Sequence, residues 1–351
     1  MTNLDLSTRI PRDPYRRPDP PSGDALRLDG NEGSQPGAEL FETLQDPSLL
    51  RDYPSAAGLE ALLAARHGVD PARVVVTTGA DDALDRCFRT LLEPGREVVL
   101  PVPTFEMLHR FAAVAGGTVV PVEWTTAFPV DAVLAAVTPA TAATVVVSPN
   151  NPTGTVATAD DVTRLATSQP RVAVILDHAY VEYADEDLTA LATTFSNVIV
   201  VRTFSKAWGM AGLRVGYAIA GPDVATVLRN AGNPYPVPGP SLALAEARFL
   251  TDGERMISHV AAVSDHRARL LEQLTEASVP TPASQGNFAC PDFGSRADEV
   301  YEELRQRGIV TRRYPHRPGL ETSIRITVPE DRADFDRLCE ALDSILNEEL
   351  I

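Results

Sequence analysis

The sequence contains almost no lysine. Of its 31 lysine and arginine residues, only Lys206 is a lysine, and it follows the apolar stretch 198–201. An arginine guanidinium stays protonated in proteins, whereas a lysine amine can lose its proton and attack a carbonyl carbon. A composition rich in alanine, proline and arginine can also remove lysines by genome bias alone. Lys206 is therefore either a candidate nucleophile or a lysine that remains by chance. The residues around it decide between these two interpretations.

Positive charge is scarce as well. The chain has 48 acidic residues and a formal net charge of -17, whereas nucleic acids and anionic membranes are bound by clustered positive charge. No apolar run approaches the ~18 residues that cross a membrane, and residues 1–20 contain no apolar signal-peptide core. We expect a soluble, cytoplasmic protein whose partners are small molecules and other protein chains, with no nucleic acid and no membrane among them.

The sequence has few cysteines. Cys87, Cys290 and Cys339 lie far apart, and their odd number does not suggest a disulfide framework. Their spacing is not that of metal ligands either. We expect a reducing compartment and no bound metal.

Short apolar runs rich in β-branched residues are abundant between residues 74 and 220, and helical segments such as 81–92 and 159–168 separate them. Several runs are apolar at successive positions, which is typical of strands covered by helices on both faces. The pattern predicts an α/β fold with an open, mostly parallel, seven-stranded sheet and ligands bound at the carboxyl ends of the strands. The predicted strands are 74–76, 98–100, 118–122, 144–147, 172–176, 198–201 and 215–219.

A proline-rich stretch at 233–240 predicts a domain junction. We expect an N-terminal arm at 1–45, which packs on the smaller domain or on a partner subunit, a large ligand-binding domain at 46–235 and a small α+β domain at 236–351. The elements predicted for the small domain are helices at 241–274, 297–307 and 331–346, and strands near Phe288, near Ile309 and at 323–328.

Two turns at strand ends have compositions that suit a binding site. Gly79, Ala80 and Asp81 follow the first predicted strand and begin a helix, where backbone N–H groups can bind a phosphate. Many turns between a strand and a helix look similar. Residues 148–154 form a sharp turn that can hold Asn151 over the sheet edge, although an ordinary Asn-Pro turn has the same composition.

Charged residues also fall at or near strand ends. Asp177 follows an apolar strand, so its carboxylate needs a partner to stay charged, unless it only caps the next helix. Tyr180 is near enough along the chain to point to the same place, and Arg214 follows Lys206 by eight residues. Arg325 interrupts an apolar strand pattern, either on a solvated face or as a clamp for a carboxylate.

These groups together are typical of pyridoxal phosphate chemistry. The phosphate would lie on the helix start at 79–82, with Ser205 and Arg214 as further donors. Lys206 would form a Schiff base with the aldehyde, and Asp177 would keep the pyridine nitrogen protonated, which makes the ring an electron sink.

Other residues would hold the pyridine ring itself. Asn151 and Tyr180 would hydrogen-bond the ring 3-oxygen. Phe105, which follows a predicted strand, would stack on the ring.

Several motifs, in order along residues 28–328, give the chain a family resemblance. It resembles the fold type I pyridoxal-phosphate-dependent aminotransferases of class I/II, and within them the histidinol-phosphate aminotransferases and related aromatic aminotransferases. The motifs are Leu28-Asp29-Gly30-Asn31-Glu32, Asp52-Tyr53-Pro54, Gly79-Ala80-Asp81-Asp82, Asn150-Asn151-Pro152-Thr153-Gly154, Asp177-His178-Ala179-Tyr180, Ser205-Lys206-Ala207 and Ala211-Gly212-Leu213-Arg214-Val215-Gly216.

The resemblance implies an activity and further site residues. The chain would transfer an amino group between an L-amino acid or histidinol phosphate and a 2-oxo acid, with 2-oxoglutarate and glutamate as the expected pair, while Lys206 moves the proton. Arg325 would bind the α-carboxylate, Arg312 the distal end of the substrate, and Asn31 and Asn151 would also contact substrate. Arg313 leaves the Arg312 assignment open by one residue.

The resemblance also implies a quaternary structure. The chain would form a homodimer in which Tyr53 reaches the cofactor phosphate of the other subunit.

Two positions depart from the family pattern. Phe105 replaces the usual ring-stacking tyrosine, which keeps the stacking but loses a hydroxyl that could contact a substrate phosphate. His178 replaces a glutamate beside Asp177, either as a tolerated surface substitution or with a role in substrate choice.

Two other functions are compatible with the motifs. A lyase, decarboxylase or cyclase of amino-acid or specialised metabolism could use the same fold and site. A ligand sensor within a transcription factor would need a basic winged-helix module, and the first 45 residues are too short and not basic enough for one.

Overall fold

The structure is a computed structural model that describes residues 7–12 and 25–347. The predicted arm at 1–45 therefore lies partly outside the described residues. The strands are β1 (Leu26–Arg27), β2 (Val74–Thr77), β3 (Glu97–Val102), β4 (Thr118–Glu123), β5 (Thr141–Val147), β6 (Ala173–Asp177), β7 (Val198–Thr203), β8 (Gly216–Ile219), β9 (Phe288–Ala289), β10 (Ile309–Val310), β11 (Arg312–Arg313) and β12 (Ile324–Thr327).

Helices connect these strands and cover them. The α-helices are α1 (Ser48–Arg51), α2 (Ala57–His67), α3 (Gly79–Leu91), α4 (Met107–Ala115), α5 (Val130–Ala135), α6 (Ala159–Ser168), α7 (Thr189–Ala192), α8 (Pro222–Asn230), α9 (Gly239–Thr251), α10 (Gly253–Glu276), α11 (Ala297–Gln306) and α12 (Arg332–Asn347). Short 3₁₀ helices are found at Ala38–Gln45, Pro71–Arg73, Val181–Tyr183, Ala211–Leu213 and Gly294–Arg296. No helix in the described ranges is long and apolar enough to span a membrane.

The large sheet has seven strands in the order β2-β8-β7-β6-β5-β3-β4. The neighbouring strands from β4 to β7 in this order all pair in parallel. β8 is antiparallel to both of its neighbours, β2 and β7. The predicted α/β fold with a mostly parallel seven-stranded sheet is confirmed, and each predicted strand overlaps an observed one.

The sheet is buried because its central strands carry apolar side chains on both faces. Every residue of β5 and of β7 is buried. One face packs on α3, where Leu84, Cys87 and Phe88 lie in the core, and the other packs on a cluster that includes Leu59 of α2 and Leu165 of α6. Such two-sided burial explains the successive apolar positions seen in the sequence.

A second, smaller sheet has the order β11-β12-β9 and is antiparallel. It packs with α10, α11 and α12 around Phe288, Ile324 and Phe335. β1, from the N-terminal segment, pairs in parallel with β10 of this unit.

The prediction of one continuous helix at 241–274 is wrong, because the structure has two helices there. α9 ends at Thr251 and α10 begins at Gly253. Asp252 leaves the helical region, with φ -116° and ψ 21°, and its carboxylate accepts a hydrogen bond from the buried Arg248 guanidinium. A buried arginine needs a charged partner, and Asp252, four residues further along the chain, supplies it.

Candidate active site

Lys206 lies in a turn directly after β7, at the carboxyl edge of the large sheet. Its Nζ atom donates a hydrogen bond to the carbonyl oxygen of Gly30 at 3.0 Å and lies 5.5 Å from the centre of the Tyr180 ring. Burial, and after it the nearby Arg325, lowers the pKa of Lys206 to about 8. A lysine with a pKa in this range is more readily deprotonated, as a nucleophile or a proton carrier must be.

Asp177 ends β6, the strand next to β7. Its side chain is buried and accepts the backbone N–H of Ala179 at 3.1 Å. Burial raises the pKa of Asp177 to about 7, although Lys206 acts in the opposite direction. No cation among the described residues donates a hydrogen bond to this carboxylate, so a cationic group of a ligand would stabilise its charged form.

The start of α3 offers donors for an anion. Gly79 has φ +78°, in the left-handed region, and an added Cβ there would lie 2.7 Å from the Arg214 guanidinium. Arg214, itself at φ +55°, donates to Asp81 at 3.3 Å and to the Ser205 hydroxyl at 3.4 Å. Helix N–H groups, a hydroxyl and a guanidinium therefore converge where a phosphate was predicted.

The N-terminal segment enters this site through three consecutive residues. The carbonyl oxygens of Asp29 and Gly30 accept from Arg325 and Lys206, and the Asn31 amide donates to the Tyr180 hydroxyl at 3.1 Å. Because Tyr180 accepts this bond, its own hydrogen is available to a ligand in the cavity.

Two further contacts fix the side chains around this segment. Thr327 donates to Asn31 Oδ1 at 2.8 Å, which fixes the orientation of the Asn31 amide. Arg325 also donates to Asn151 Oδ1 at 2.8 Å. Asn31 has φ +56°, so this segment adopts a left-handed backbone that asparagine tolerates better than most residues.

These side chains line one cavity of about 840 Å³. Most of the predicted site residues lie on its wall, namely Ala80, Asp81, Phe105, Asn151, Asp177, Tyr180, Ser205, Lys206, Arg214, Arg312 and Arg325. Gly79 and Asn31 touch the wall residues Arg214 and Tyr180. Tyr53 lies elsewhere, on the surface, where 81% of it is exposed and its ring stacks on Tyr235 at 4.5 Å.

The interpretation of His178 as a surface substitution is wrong. Only 1% of the residue is exposed, and its backbone N–H still pairs with Val201 of β7. Burial and the nearby Arg202 lower the pKa of His178 to about 3, so the imidazole is neutral at ordinary pH. Arg202 is neutralised by Glu182 and Asp187, at 2.9 Å and 2.8 Å.

Sequence reasoning missed several residues of the cavity wall, among them Arg27, Tyr314 and Arg317. A signal for two of them was present, because residues 312–317 hold three arginines and a tyrosine between predicted strands. The structure places Arg312 on the wall, whereas Arg313 pairs with Asp298 and is absent from the lining.

Comparison with known proteins identifies the family. A family model described as aminotransferase class I and II matches residues 38–342. The chain belongs to the class I and II aminotransferases. Membership makes it a pyridoxal-phosphate-dependent aminotransferase, which confirms the enzyme class and the cofactor predicted from the sequence.

Relatives with two different names are similar to this aminotransferase. Histidinol-phosphate aminotransferase 1 of Archaeoglobus fulgidus is 35% identical over 327 residues, covering 92% of this chain and 99% of the relative. An aromatic amino acid aminotransferase of Mycobacteroides abscessus is 35% identical over 316 residues, covering 87% and 88%. The crystal structure of histidinol-phosphate aminotransferase from Sinorhizobium meliloti in complex with pyridoxal-5'-phosphate has a TM-score of 0.84 at 26% identity, covering 93% and 91%.

The residues that line the cavity of this aminotransferase fit the cofactor, independently of the family match. It contains a buried carboxylate without a cationic hydrogen-bond partner among the described residues, an amine with a lowered pKa, and a helix start flanked by a hydroxyl and a guanidinium. These groups suit a pyridine nitrogen, an aldehyde and a phosphate, respectively.

Proposed function

We propose that this aminotransferase takes an amino donor whose distal end is anionic, such as histidinol phosphate, and passes the amino group to a 2-oxo acid such as 2-oxoglutarate. The observation that carries this proposal is the pairing of Arg312 and Arg325, which stand directly opposite each other on β11 and β12. Like charges at opposed positions of a sheet repel, and an anionic ligand between or beside them relieves that repulsion.

Tyr314 and Arg317 extend this positive wall. The Tyr314 ring lies 5.9 Å from the Arg312 guanidinium and 5.8 Å from that of Arg317. Only 8% of Tyr314 is exposed, and burial raises the pKa of its hydroxyl to about 12, so it remains a hydrogen-bond donor. No hydrogen bond of this hydroxyl is formed within residues 25–347, and Tyr314 faces the cavity.

Two acidic groups of the cavity wall have cationic partners. Asp29 pairs with Arg27 at 3.2 Å, and Glu106 pairs with Arg110 at 3.5 Å. The distal wall thus offers positive charge and a hydroxyl donor to a substrate. An aromatic donor with an uncharged ring would offer no anionic group to this positive wall, and would therefore lack the charge-assisted hydrogen bonds that an anionic donor can form.

We assign the catalytic roles as follows. When bound, the cofactor supplies the electron sink that stabilises negative charge on the α-carbon of the substrate. Asp177 would hold its ring nitrogen, Tyr180 and Asn151 would contact its 3-oxygen, and Phe105 would stack on the ring. Lys206 carries the proton to and from the α-carbon, and Arg325 holds the substrate α-carboxylate, oriented by its bond to Asn151.

We also propose a homodimer that acts in the cytoplasm. Tyr53 is exposed and remote from the cavity of its own chain, which suits a residue that reaches the cofactor phosphate of the other subunit. It stacks on Tyr235, so two aromatic rings are exposed side by side at this surface. Exposed apolar groups clustered in this way are typical of a subunit interface.

The test compares histidinol phosphate with histidinol, which differ only in the phosphate, and with phenylalanine and glutamate. We expect kcat/KM for histidinol phosphate to exceed that for histidinol at least ~100-fold, since charge-assisted hydrogen bonds contribute roughly 1.5–3 kcal/mol each. Equal rates with histidinol, or a preference for phenylalanine, would contradict an anionic distal group.

A second measurement separates transamination from a lyase reaction. Adding donor without a 2-oxo acid should convert the cofactor to its amine form after one turnover, and the reaction should then stop. Continued release of product without an acceptor would show a different reaction on the same fold.

A further inference from the structure

Arg248 of α9 is a fully buried arginine that contacts the turn carrying Lys206. Its Nε atom donates a hydrogen bond to the carbonyl oxygen of Trp208 at 3.3 Å, and its Nη1 atom donates to the carboxylate of Asp252. Arg248 is absent from the lining of the cavity. It can therefore affect the reacting groups only through the turn that it contacts.

The peptide group between Trp208 and Gly209, called here the turn peptide, takes part in two hydrogen bonds. Its carbonyl oxygen accepts from Arg248, and its N–H, which belongs to Gly209, donates to the carbonyl oxygen of Lys206 at 2.9 Å. The second bond closes a four-residue turn at 206–209. Because a peptide group is planar, a contact that fixes its carbonyl also fixes its N–H. Arg248 thus acts on the bond that sets the backbone of Lys206.

The turn peptide is followed by a glycine that does little to hold it. Gly209 has φ +69°, in the left-handed region. Glycine adopts positive and negative φ about equally readily, so its own backbone opposes rotation of the turn peptide only weakly. A larger residue does not fit, since an added Cβ would lie 1.8 Å from the carbonyl oxygen of Ser34. The constraint on the turn peptide must come from a neighbour, and the Arg248 guanidinium supplies one.

The side chain of Trp208 is held separately from its carbonyl group. Its ring centre lies 5.3 Å from that of Phe249, the residue after Arg248 in α9. Its indole Nε1 atom donates to Glu182 Oε1 at 3.3 Å. These contacts do not involve the Arg248 guanidinium, so removing it should leave the indole in place and release the carbonyl.

We propose that Arg248, anchored by Asp252, is a positioning residue that fixes the turn peptide and thereby the direction of the Lys206 amine. The proposal rests on the role of Lys206 as the group that carries the proton, given above. Replacing a buried ion pair with uncharged residues is often neutral for stability. A purely structural pair could therefore be removed as a whole without consequence for Lys206, whereas a positioning pair could not.

The test starts from the apoenzyme, so its outcome depends neither on the cofactor nor on the choice of donor. Lys206 is the only lysine, and its rate of acetylation by acetic anhydride, followed by peptide mass spectrometry across a range of pH values, gives the pH midpoint of this single amine. The main variant, Arg248→Met with Asp252→Asn, removes the pair without leaving an unpaired charge. Asp252→Asn alone keeps the arginine. The kcat and KM of the holoenzyme and the thermal melting temperature are measured as well.

We expect the Lys206 midpoint to rise by about one pH unit in the double variant, because an amine that leaves its buried position is hydrated and its charged form is favoured. Asp252→Asn should shift the midpoint by less, since Arg248 still reaches the turn peptide. The kcat of the double variant should fall roughly tenfold, the effect of a misdirected catalytic group. The KM should change little, because the substrate-binding arginines are untouched.

The matched control is Arg73→Met. Arg73 also donates to backbone carbonyl oxygens, those of Ala220 and Thr193 at 2.9 Å and 2.8 Å, and it is absent from the cavity lining. This variant should keep the wild-type Lys206 midpoint even where its melting temperature falls. A double variant that keeps the wild-type midpoint, whatever its melting temperature, would overturn the proposal. An equal shift in Arg73→Met would overturn it as well, because the shift would then reflect a general loss of packing.

Discussion

The Nζ atom of Lys206 and the carbonyl oxygen of Gly30 lie 3.0 Å apart and share a hydrogen bond. They are separated by 176 residues, so the bond joins the N-terminal segment to the turn after β7. It also directs the amine into the cavity, toward the Tyr180 ring. The N-terminal segment is therefore part of the active site, and predictions about Lys206 involve both parts of the chain.

Borohydride reduction of the holoenzyme should attach the cofactor at Lys206 alone, because no other lysine is present. Peptide mass spectrometry should find a single labelled lysine-containing peptide. Lys206→Ala should lose the label, the visible cofactor band and turnover, since alanine has no amine. Lys206→Arg is the control that keeps the charge, and turnover near the wild-type level in either variant would contradict this assignment.

Gly33→Ala should disturb the backbone that carries Lys206. An added Cβ would lie 1.9 Å from the carbonyl oxygen of Lys206, which is backbone and cannot swing aside. We expect a loss of about 1–3 kcal/mol in the free energy of unfolding and weaker cofactor binding. Urea titration and cofactor titration measure the two effects. The control is Gly253→Ala, where no atom lies within 4 Å, and equal losses in both variants would argue against the close contact.

Neighbouring arginines should respond differently to the same substitution. Arg312 lines the cavity, whereas Arg313 pairs with Asp298 outside it. Arg312→Gln should raise the KM for an anionic donor roughly 10–100-fold, the effect of losing one charge-assisted contact. Arg313→Gln should stay within about twofold, since the Arg313 side chain does not line the cavity. Steady-state kinetics would refute the assignment if Arg313→Gln had the larger effect.

Asp177 should make the stability of the apoenzyme depend on pH. Burial raises its pKa from 3.8 to about 7 in the folded chain, so between these pH values the folded state binds more protons than the unfolded state. The free energy of unfolding therefore loses a contribution as pH rises through this window. Asp177→Asn cannot titrate, and its stability should exceed that of the wild type by more at pH 7 than at pH 4.5.

Urea unfolding of the apoenzyme at both pH values measures this difference. Added cofactor should reduce it in the wild type, because a cationic ring nitrogen would stabilise the charged carboxylate. An identical pH dependence in the wild type and Asp177→Asn would show that the carboxylate is not desolvated.

The parts of the site that lie at strand ends could be predicted from the sequence. Asp177 and Lys206 follow neighbouring parallel strands, and such strands end at one edge of the sheet, so local patterns were enough to bring them together. Asn31 and Thr327 are 296 residues apart, and their contact depends on how β1 joins the small unit, which no local pattern encodes. The resemblance to the family suggested Asn31, but not its partner.

Other features of the structure could not be predicted because they depend on side-chain direction or on long-range packing. His178 was open to interpretation because the residue after a strand can face either solvent or the opposite side of the sheet, and here it faces the buried cluster around Arg202. The break at Asp252 could not be predicted because both flanking segments are helical and the interruption is a single residue long. Tyr314 and Arg317 lie in a loop, whose course depends on the whole fold.

Asp29, Gly30 and Asn31 each contact a different group of the site, namely Arg325, Lys206 and Tyr180. Two of the three contacts are made by backbone carbonyl oxygens, so they do not depend on the identity of the side chain. Inserting or deleting a single residue here would shift all three contacts at once. The number of residues in this segment is consequently under tighter constraint than their chemical identity, and a change in length would disable the enzyme where many substitutions would not.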